Sequence, residues 1–339
     1  MRDRVRRTTA RAARRVIEFG ATRIASSEWL MDITYDVMNK QNFTGLSAHE
    51  EMLSDRVRVD TYHRGITRQV RQGDVVLDLG AGTGVLAMMA SAAGAKKVYA
   101  VDHSEFIEVA REIAAHNGFA NIEFVQASSR DFSPPEPIDL VVHEQMGDDL
   151  FNENMLTNLL DLRTRVLRSG ARILPGRFRL FIEPVSLHDS MRVRRLWNIA
   201  LPDGIDLDVV RTSPTAARFD HDRMEHFWAR PGSVASTVGI PAPVMEFDLN
   251  TLESIEELPR QLTVERTATQ DAIVDGYCVW FEAQFDDETV LTTSPLAPVT
   301  SWGNRMFRID HEVARGEQFR ATVRLPELDE PSTWSVSRA

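Results

Sequence analysis

The stretch Val75-Val76-Leu77-Asp78-Leu79-Gly80-Ala81-Gly82-Thr83-Gly84-Val85-Leu86 decides how this chain folds. An apolar run ends in an acid, three glycines alternate with small residues, and an alanine-rich helical pattern follows over 87–93. The reading is strand, tight turn, helix. Glycine lets the backbone turn sharply and approach a ligand with no Cβ in the way. The helix N-terminus behind it offers unpaired N–H groups and the positive end of a dipole. One strand and helix later, Val98-Tyr99-Ala100-Val101-Asp102 again ends an apolar strand in an acid. A carboxylate there meets the hydroxyls of a nucleoside ribose. That second acid favours a nucleoside site over a plain turn with an N-capping acid.

A dinucleotide fingerprint needs G-x-G-x-x-G, but here the third glycine comes one place early, at 84, with Val85 in its stead. NAD is therefore disfavoured. The D-x-G-x-G-x-G pattern instead resembles the first motif of class I S-adenosylmethionine-dependent methyltransferases.

Working outward, 339 residues suggest two domains. The net charge of −11 disfavours nucleic acid as the main partner, since phosphate binding needs basic surface. Acidity suits a cationic substrate and equally suits plain solubility. Cys278 is the single cysteine, which excludes internal disulfides and multi-cysteine zinc sites, so no metal is expected. A reducing cytoplasm fits that usage. No apolar run has the length to cross a bilayer, so no membrane is expected. The arginine-rich first fifteen residues read as a basic amphipathic helix on an acidic body, rather than a transit or twin-arginine signal.

Residues 1–45 read as a polar helical segment, with Val5, Val16, Ile17, Trp29, Leu30 and Ile33 as inward anchors. Over 46–175 strands at 75–79, 97–102, 121–126, 138–143 and 171–175 alternate with helices, including 105–117 and 154–168, the latter ended by Gly170. That alternation calls for a parallel sheet. After Pro175 the rhythm changes. Tyr277, Val279, Phe281, Ala283 and Phe285 alternate with mostly polar residues, as do Phe319, Ala321, Val323 and Leu325. Such alternation marks antiparallel strands with one buried face, so 176–339 reads as a β-sandwich or barrel domain. Residues 187–232 interrupt it with two helical pieces around Pro202-Asp203-Gly204, the second carrying Phe227 and Trp228, and read as an association arm.

Two carboxylates are candidates for the chemistry. The strand Asp139-Leu140-Val141-Val142-His143 delivers Glu144 to the ligand crevice, and Glu153 follows nine residues later, after a loop long enough to bring it back. Two close carboxylates repel unless a cation sits between them. A planar guanidinium fits that gap with paired hydrogen bonds. On spacing alone, Glu153 or Asn152 capping the next helix, with the other acid solvated, is the competing reading.

The chain resembles the protein arginine methyltransferases from about residue 45 to its end. The family's S-E-W-M-G-x-x-L-x-x-E hairpin is similar to His143-Glu144-Gln145-Met146-Gly147-Asp148-Asp149-Leu150-Phe151-Asn152-Glu153. H-E-x-M-L-x-D-x-x-R is similar to His49-Glu50-Glu51-Met52-Leu53-Ser54-Asp55-Arg56-Val57-Arg58, with Tyr62 beyond it. The closing S-T-S/A-P-x-x-P-x-T-H-W is similar to 292–302, ending in Thr300-Ser301-Trp302. The resemblance implies a Rossmann-like domain followed by an antiparallel β-barrel with a helical dimerisation arm, in a homodimer. It implies S-adenosylmethionine as cofactor, leaving as S-adenosylhomocysteine. It puts Arg58 on the cofactor carboxylate, and His49, Asp78, Gly80, Gly82, Gly84, Asp102 and Ser129 around the rest. Met52, Met146, Asp148, Ser301 and Trp302 fall on the substrate side, and Glu144 and Glu153 become the catalytic clamp.

The departures bear on substrate. Asn39–Phe43 stands where the family has Y-F-x-x-Y, Gln145 where the hairpin has tryptophan, and Ser301 where a histidine would pair with Asp55. Arg130 occupies a position the family often gives to a glutamate near adenine, leaving Ser128, Ser129 or Asp131 for that role. A reshaped entrance, and Asp148 and Asp149 beside it, tilt the expectation toward free L-arginine or a small guanidino metabolite in a biosynthetic pathway. A protein or peptide arginine is the alternative; an unrelated small molecule or a non-catalytic dimeric module are the remaining ones. Arginine used almost to the exclusion of lysine hints at a GC-rich bacterial source.

Overall fold

The computed structural model describes residues 45–192, 201–207, 209–217 and 226–338. The N-terminal segment, including the Asn39–Phe43 element, and part of the arm lie outside them. Two helices come first, α1 (Leu46–Ser54) and α2 (Arg56–Gln69). Asp55 separates them and caps α2, accepting from the Arg58 N–H at 3.0 Å; a short side-chain acceptor at this position satisfies one of the orphan donors of the first turn.

Five strands then build a parallel sheet: β1 (Val75–Leu79), β2 (Lys97–Asp102), β3 (Ile122–Gln126), β4 (Ile138–His143) and β5 (Leu167–Leu174). Helices α3 (Val85–Ala92), α4 (Ile107–His116) and α5 (Met155–Arg165) connect them. The order β3-β2-β1-β4-β5 reverses direction at β1, which opens a crevice beyond the strand ends there. Strands β1 and β4 are buried throughout, which explains their continuous rather than alternating apolar runs. Gly170, expected to stop the preceding helix, lies inside β5 at φ 76°, where the register with β4 shifts. An irregular strand start, not a helix end, uses the glycine.

The antiparallel, barrel-like part begins at β6 (Arg177–Leu187). Short helices α6 (Val209–Thr212) and α7 (Pro214–Ala217) precede β7 (His226–Ala229), β8 (Val234–Thr237) and β9 (Met245–Asp248). Then come β10 (Gln261–Thr267), β11 (Ala272–Gln284), β12 (Val290–Thr292), β13 (Asn304–Val313), β14 (Gln318–Arg324) and β15 (Ser335–Arg338). One sheet runs β7-β13-β11-β6-β8 with β12 and β9 attached, and β10-β14-β15 form another.

Two expectations are corrected here. Phe227 and Trp228 lie on the edge strand β7, not on a helix. Strand β11 is covered on both faces: Tyr277, Val279 and Phe281 enter the main core, while Cys278 and Trp280 pack with Phe181 and Val185 in a second cluster. The strand is central, so alternation alone misjudged its outer face. Strand β14 does alternate, with Phe319, Ala321 and Val323 inward.

One apolar core continues from the parallel sheet into the barrel. Helix α2 reaches it closely, since a Cβ at Gly65 would overlap the Phe285 ring. Among the described residues no helix is long and apolar enough to cross a membrane.

Candidate active site

The backbone leaves β1 through Gly80, Gly82 and Gly84, all at positive φ (74°, 50° and 72°). Side chains pay steric strain in that region and glycine does not. A cavity of about 280 Å³ opens over this loop. It is lined by His49, Met52, Arg58, Gly80, Gly82, Asp102, Ser129, Glu144 and Glu153 among others. From α1, His49 stacks on Phe106 with centroids 3.9 Å apart, and a Cβ at Gly82 would stand 3.0 Å from the histidine ring. Helix and loop thus meet edge to edge at the cavity wall.

Asp102 is already engaged. One oxygen accepts from the Gly82 N–H at 2.9 Å, the other from the Ser104 N–H and hydroxyl at 2.8 and 2.7 Å. A carboxylate has about four acceptor positions, so roughly one is left for a hydroxyl. Two predicted loop residues do not line the cavity. Asp78 lies beneath it, fully buried, and accepts from the Ala87 N–H at 2.9 Å, tying α3 to β1. Burial pushes its carboxyl up to about 7. Gly84 faces the packing of Ala110 and Phe124. Ser128 and Arg130 line the cavity beside Ser129, whereas Asp131 sits outside it, accepting from the Ser128 hydroxyl at 2.8 Å.

Glu144 follows β4, whose end is pinned twice. Tyr62 donates its hydroxyl to the His143 carbonyl at 2.8 Å, and His143 Nε2 donates to the Pro175 carbonyl at 2.9 Å. Burial lowers His143 to about 4, which keeps the ring neutral near pH 7. The chain turns at Gly147, whose carbonyl accepts from the Leu150 N–H at 2.8 Å, and returns Glu153 to the cavity just before α5. Asn154, not Glu153 or Asn152, holds the position ahead of the helix, and it makes no side-chain cap bond.

Burial raises both glutamates well above the usual carboxylate range, and the charge of Glu144 raises Glu153 further. Arg58 works against this. Its guanidinium bonds Glu144, lies 4.9 Å over the Trp302 ring, and reaches Met52 Sδ and Ser301 Oγ at 3.5 Å each. The resemblance assigned Arg58 to the cofactor's carboxylate; here it holds Glu144. A guanidinium is therefore the natural counterion of this acid.

The remaining substrate-side residues brace the loop. Met146 is buried and its carbonyl accepts from Trp302 Nε1 at 2.6 Å. Asp148 accepts from the Gly303 N–H at 2.7 Å. Asp149 is not available to a substrate at all, being 1% exposed and paired with Arg305. Ser301 keeps the partnership expected to vanish with the histidine: its N–H and hydroxyl donate to Asp55 at 2.7 and 3.1 Å. Sequence reasoning missed Arg305 and assigned Trp228 to the arm; the only signal was the second acid at the tip of the loop.

A family model described as a methyltransferase domain matches residues 76–170. Protein arginine N-methyltransferase 6 of Danio rerio is 32% identical over 291 residues, covering 83% of this chain and 81% of the relative. The chain belongs to the protein arginine N-methyltransferase family. A second member, PRMT10 of Oryza sativa subsp. japonica, is 30% identical over 78% of this chain and 76% of its own length. Among solved structures, the Trypanosoma brucei PRMT1 enzyme-prozyme heterotetrameric complex with AdoHcy aligns with a TM-score of 0.69 and 26% identity, over 84% of this chain and 89% of that one. This protein arginine N-methyltransferase relative is thus an S-adenosylmethionine-dependent enzyme, with the family's Rossmann-like sheet and barrel-like second part. The site fits that cofactor: Gly80 and Gly82, the latter without room for a Cβ beside His49, an acid at the end of β2, and a cationic wall at Arg58 share one cavity.

Proposed function

We propose that this chain methylates a guanidinium nitrogen of arginine held in a protein or peptide, with Glu144 and Glu153 as the clamp. One observation carries the reading: two half-buried carboxylates face one cavity beside the cofactor loop, and one of them already binds a guanidinium. The free-arginine expectation yields to the peptide alternative because the relatives are named for protein substrates and because Asp149, one of its two supporting acids, is spent on Arg305.

S-adenosylmethionine supplies the electrophilic methyl group on its sulfonium. Gly80 and Gly82 would let its nucleoside lie against the backbone, Asp102 would take one ribose hydroxyl, and Arg58, whose bond to Glu144 uses only part of its five N–H donors, would hold its carboxylate with the others. Arginine enters as a cation. Its charge replaces the proton that burial and mutual repulsion keep on the glutamate pair, so both acids ionise around it. Paired hydrogen bonds fix the guanidinium plane and draw positive charge toward one nitrogen, leaving the other more nucleophilic. The proton lost on methylation passes to a glutamate or to water; Ser301 replaces the histidine that would have offered a dedicated base. Activity on arginine is therefore lost as pH falls through the raised range of the pair.

The domain limits at 45 and 175, a homodimer formed through the 187–232 arm, a cytoplasmic setting and a bacterial source belong to the same proposal; arginine usage alone supports the last. Mass spectrometry of an arginine-rich peptide and of free L-arginine, each incubated with protein and S-adenosylmethionine, tests the substrate. A mass gain of one methyl on the peptide is expected. Gain on free arginine alone would restore the metabolic reading, and no gain on either would remove the guanidinium reading altogether.

A further inference from the structure

The loop that returns Glu153 to Glu144 holds a leucine, Leu150, at a positive φ of 75°, and Asn154, at 54°, stands at its exit into α5. Such backbone persists only where its surroundings over-determine it. The surroundings here are one edge of the barrel domain. Trp302 bonds the Met146 carbonyl, Gly303 bonds Asp148, and Arg305 grips Asp149 through Nε to Oδ1 at 2.9 Å and Nη2 to Oδ2 at 2.7 Å. Residues 302–305 therefore follow residues 146–149 contact by contact.

The third contact differs in kind. Asp149 is 1% exposed and Arg305 11%, and the indole of Trp228, opposite Arg305 in the β7–β13 register, lies 4.8 Å over the guanidinium. A two-point fork on a carboxylate fixes orientation as well as distance. Neither residue lines the cavity, so whatever they do for turnover passes through the loop.

We infer that the Asp149–Arg305 pair, roofed by Trp228, is the positioning element that sets Glu153 against Glu144. The barrel domain, more than the loop's own sequence, then dictates the width of the guanidinium clamp. The inference rests on the clamp reading proposed above.

Two variants of the full chain test it. Asp149→Asn keeps the shape and removes the charge; Arg305→Lys keeps the charge and removes the fork. Turnover of an arginine-rich peptide falls about tenfold or more in each, as expected when reacting groups are displaced by a fraction of an ångström. Affinity for S-adenosylmethionine, read by calorimetry, stays within about threefold, the pattern of an interaction that matters after binding. The acid limb of the kcat/KM profile moves as well, because repulsion between the glutamates depends on their separation. A merely structural pair would leave that limb in place. Unchanged turnover, an unmoved acid limb, or equal losses in turnover and cofactor affinity would each overturn the inference. If Asp149→Asn does not fold, Arg305→Lys decides alone. Glu153→Gln separates the two levels: turnover surviving it removes the clamp and this inference together, whereas turnover lost there but kept in both other variants removes this inference only.

Discussion

The cofactor loop and the two-glutamate loop both leave the C-terminal end of a central parallel strand, and they are held in opposite ways. The first is held locally. Its positive-φ positions are glycines, and its ties run to Asp78, Val101 and Asp102 within the same parallel sheet. The second takes two positive-φ positions without glycine and is held by residues about 156 positions away, Trp302 just before β13 and Arg305 on it. A loop built by its own sequence carries its ligand contacts within one sheet. A loop shaped by another domain can be retuned by changing that domain, so substrate choice has somewhere to vary while cofactor chemistry stays fixed.

Glu153→Gln has the largest expected effect on the two-glutamate loop. The glutamine keeps the shape and cannot ionise around a guanidinium, so peptide turnover falls by a factor of about 10² to 10³, the usual cost of one preorganised electrostatic group. Cofactor affinity stays near that of the unaltered chain. Equal losses in both would mean that the two loops are not separable.

Asp78→Asn probes what the local loop costs. With a native pKa near 7 against an ordinary 3.8, Asp78 retains its proton on folding while the unfolded chain releases it. The folded state thus binds more protons between about pH 4 and 7, and stability falls as pH rises through that window, by at most about 4 kcal/mol. Asparagine is neutral at every pH and still accepts from Ala87. Denaturant midpoints measured at pH 5 and pH 8 lie closer together in the variant; an unchanged spread would show that another group titrates there.

Gly82→Ala strains the same loop without touching charge. A left-handed residue costs about 1–2 kcal/mol, and the new Cβ crowds His49 at 3.0 Å. Affinity for S-adenosylmethionine drops about tenfold, equivalent to roughly 1.4 kcal/mol, while turnover at saturating cofactor is nearly kept. This is the mirror image of Glu153→Gln. A fall in saturated turnover would mean that the cofactor loop also shapes the clamp.

The difference in how the loops are held also decides what the sequence reveals. The glycine spacing and the acids at 78, 102, 144 and 153 are local patterns, and all of these residues except Asp78 and Gly84 line the cavity. Asp149 looked like a substrate contact because nothing adjacent in sequence announces Arg305. Trp228 looked helical because a four-residue edge strand carries too little periodicity to declare itself. The buried outer face of β11 depends on neighbours that alternation cannot show. Arg58 is the subtlest case: the motif implies a cofactor carboxylate as its partner, whereas the fold places it at the cavity wall on Glu144.

Ser301 marks the smallest step in this series. Its N–H and hydroxyl both donate to Asp55, which also caps α2. Ser301→Ala removes the hydroxyl's bond to Asp55 and its 3.5 Å contact with the Arg58 guanidinium, both on an exposed group, and leaves the backbone donor in place. One such bond contributes about 0.5–1.5 kcal/mol, with exposure favouring the low end, so the melting temperature shifts by little and peptide turnover changes by less than about threefold. If the serine instead relayed a proton to Asp55, turnover would fall by a factor of about 10² or more and the pH profile would lose a limb. The geometry favours the bracing role. Asp55 already holds one end of α2, and the serine's N–H joins that end to the barrel whether or not the hydroxyl is present. The histidine's absence then costs the site a side chain but not the link between its two domains.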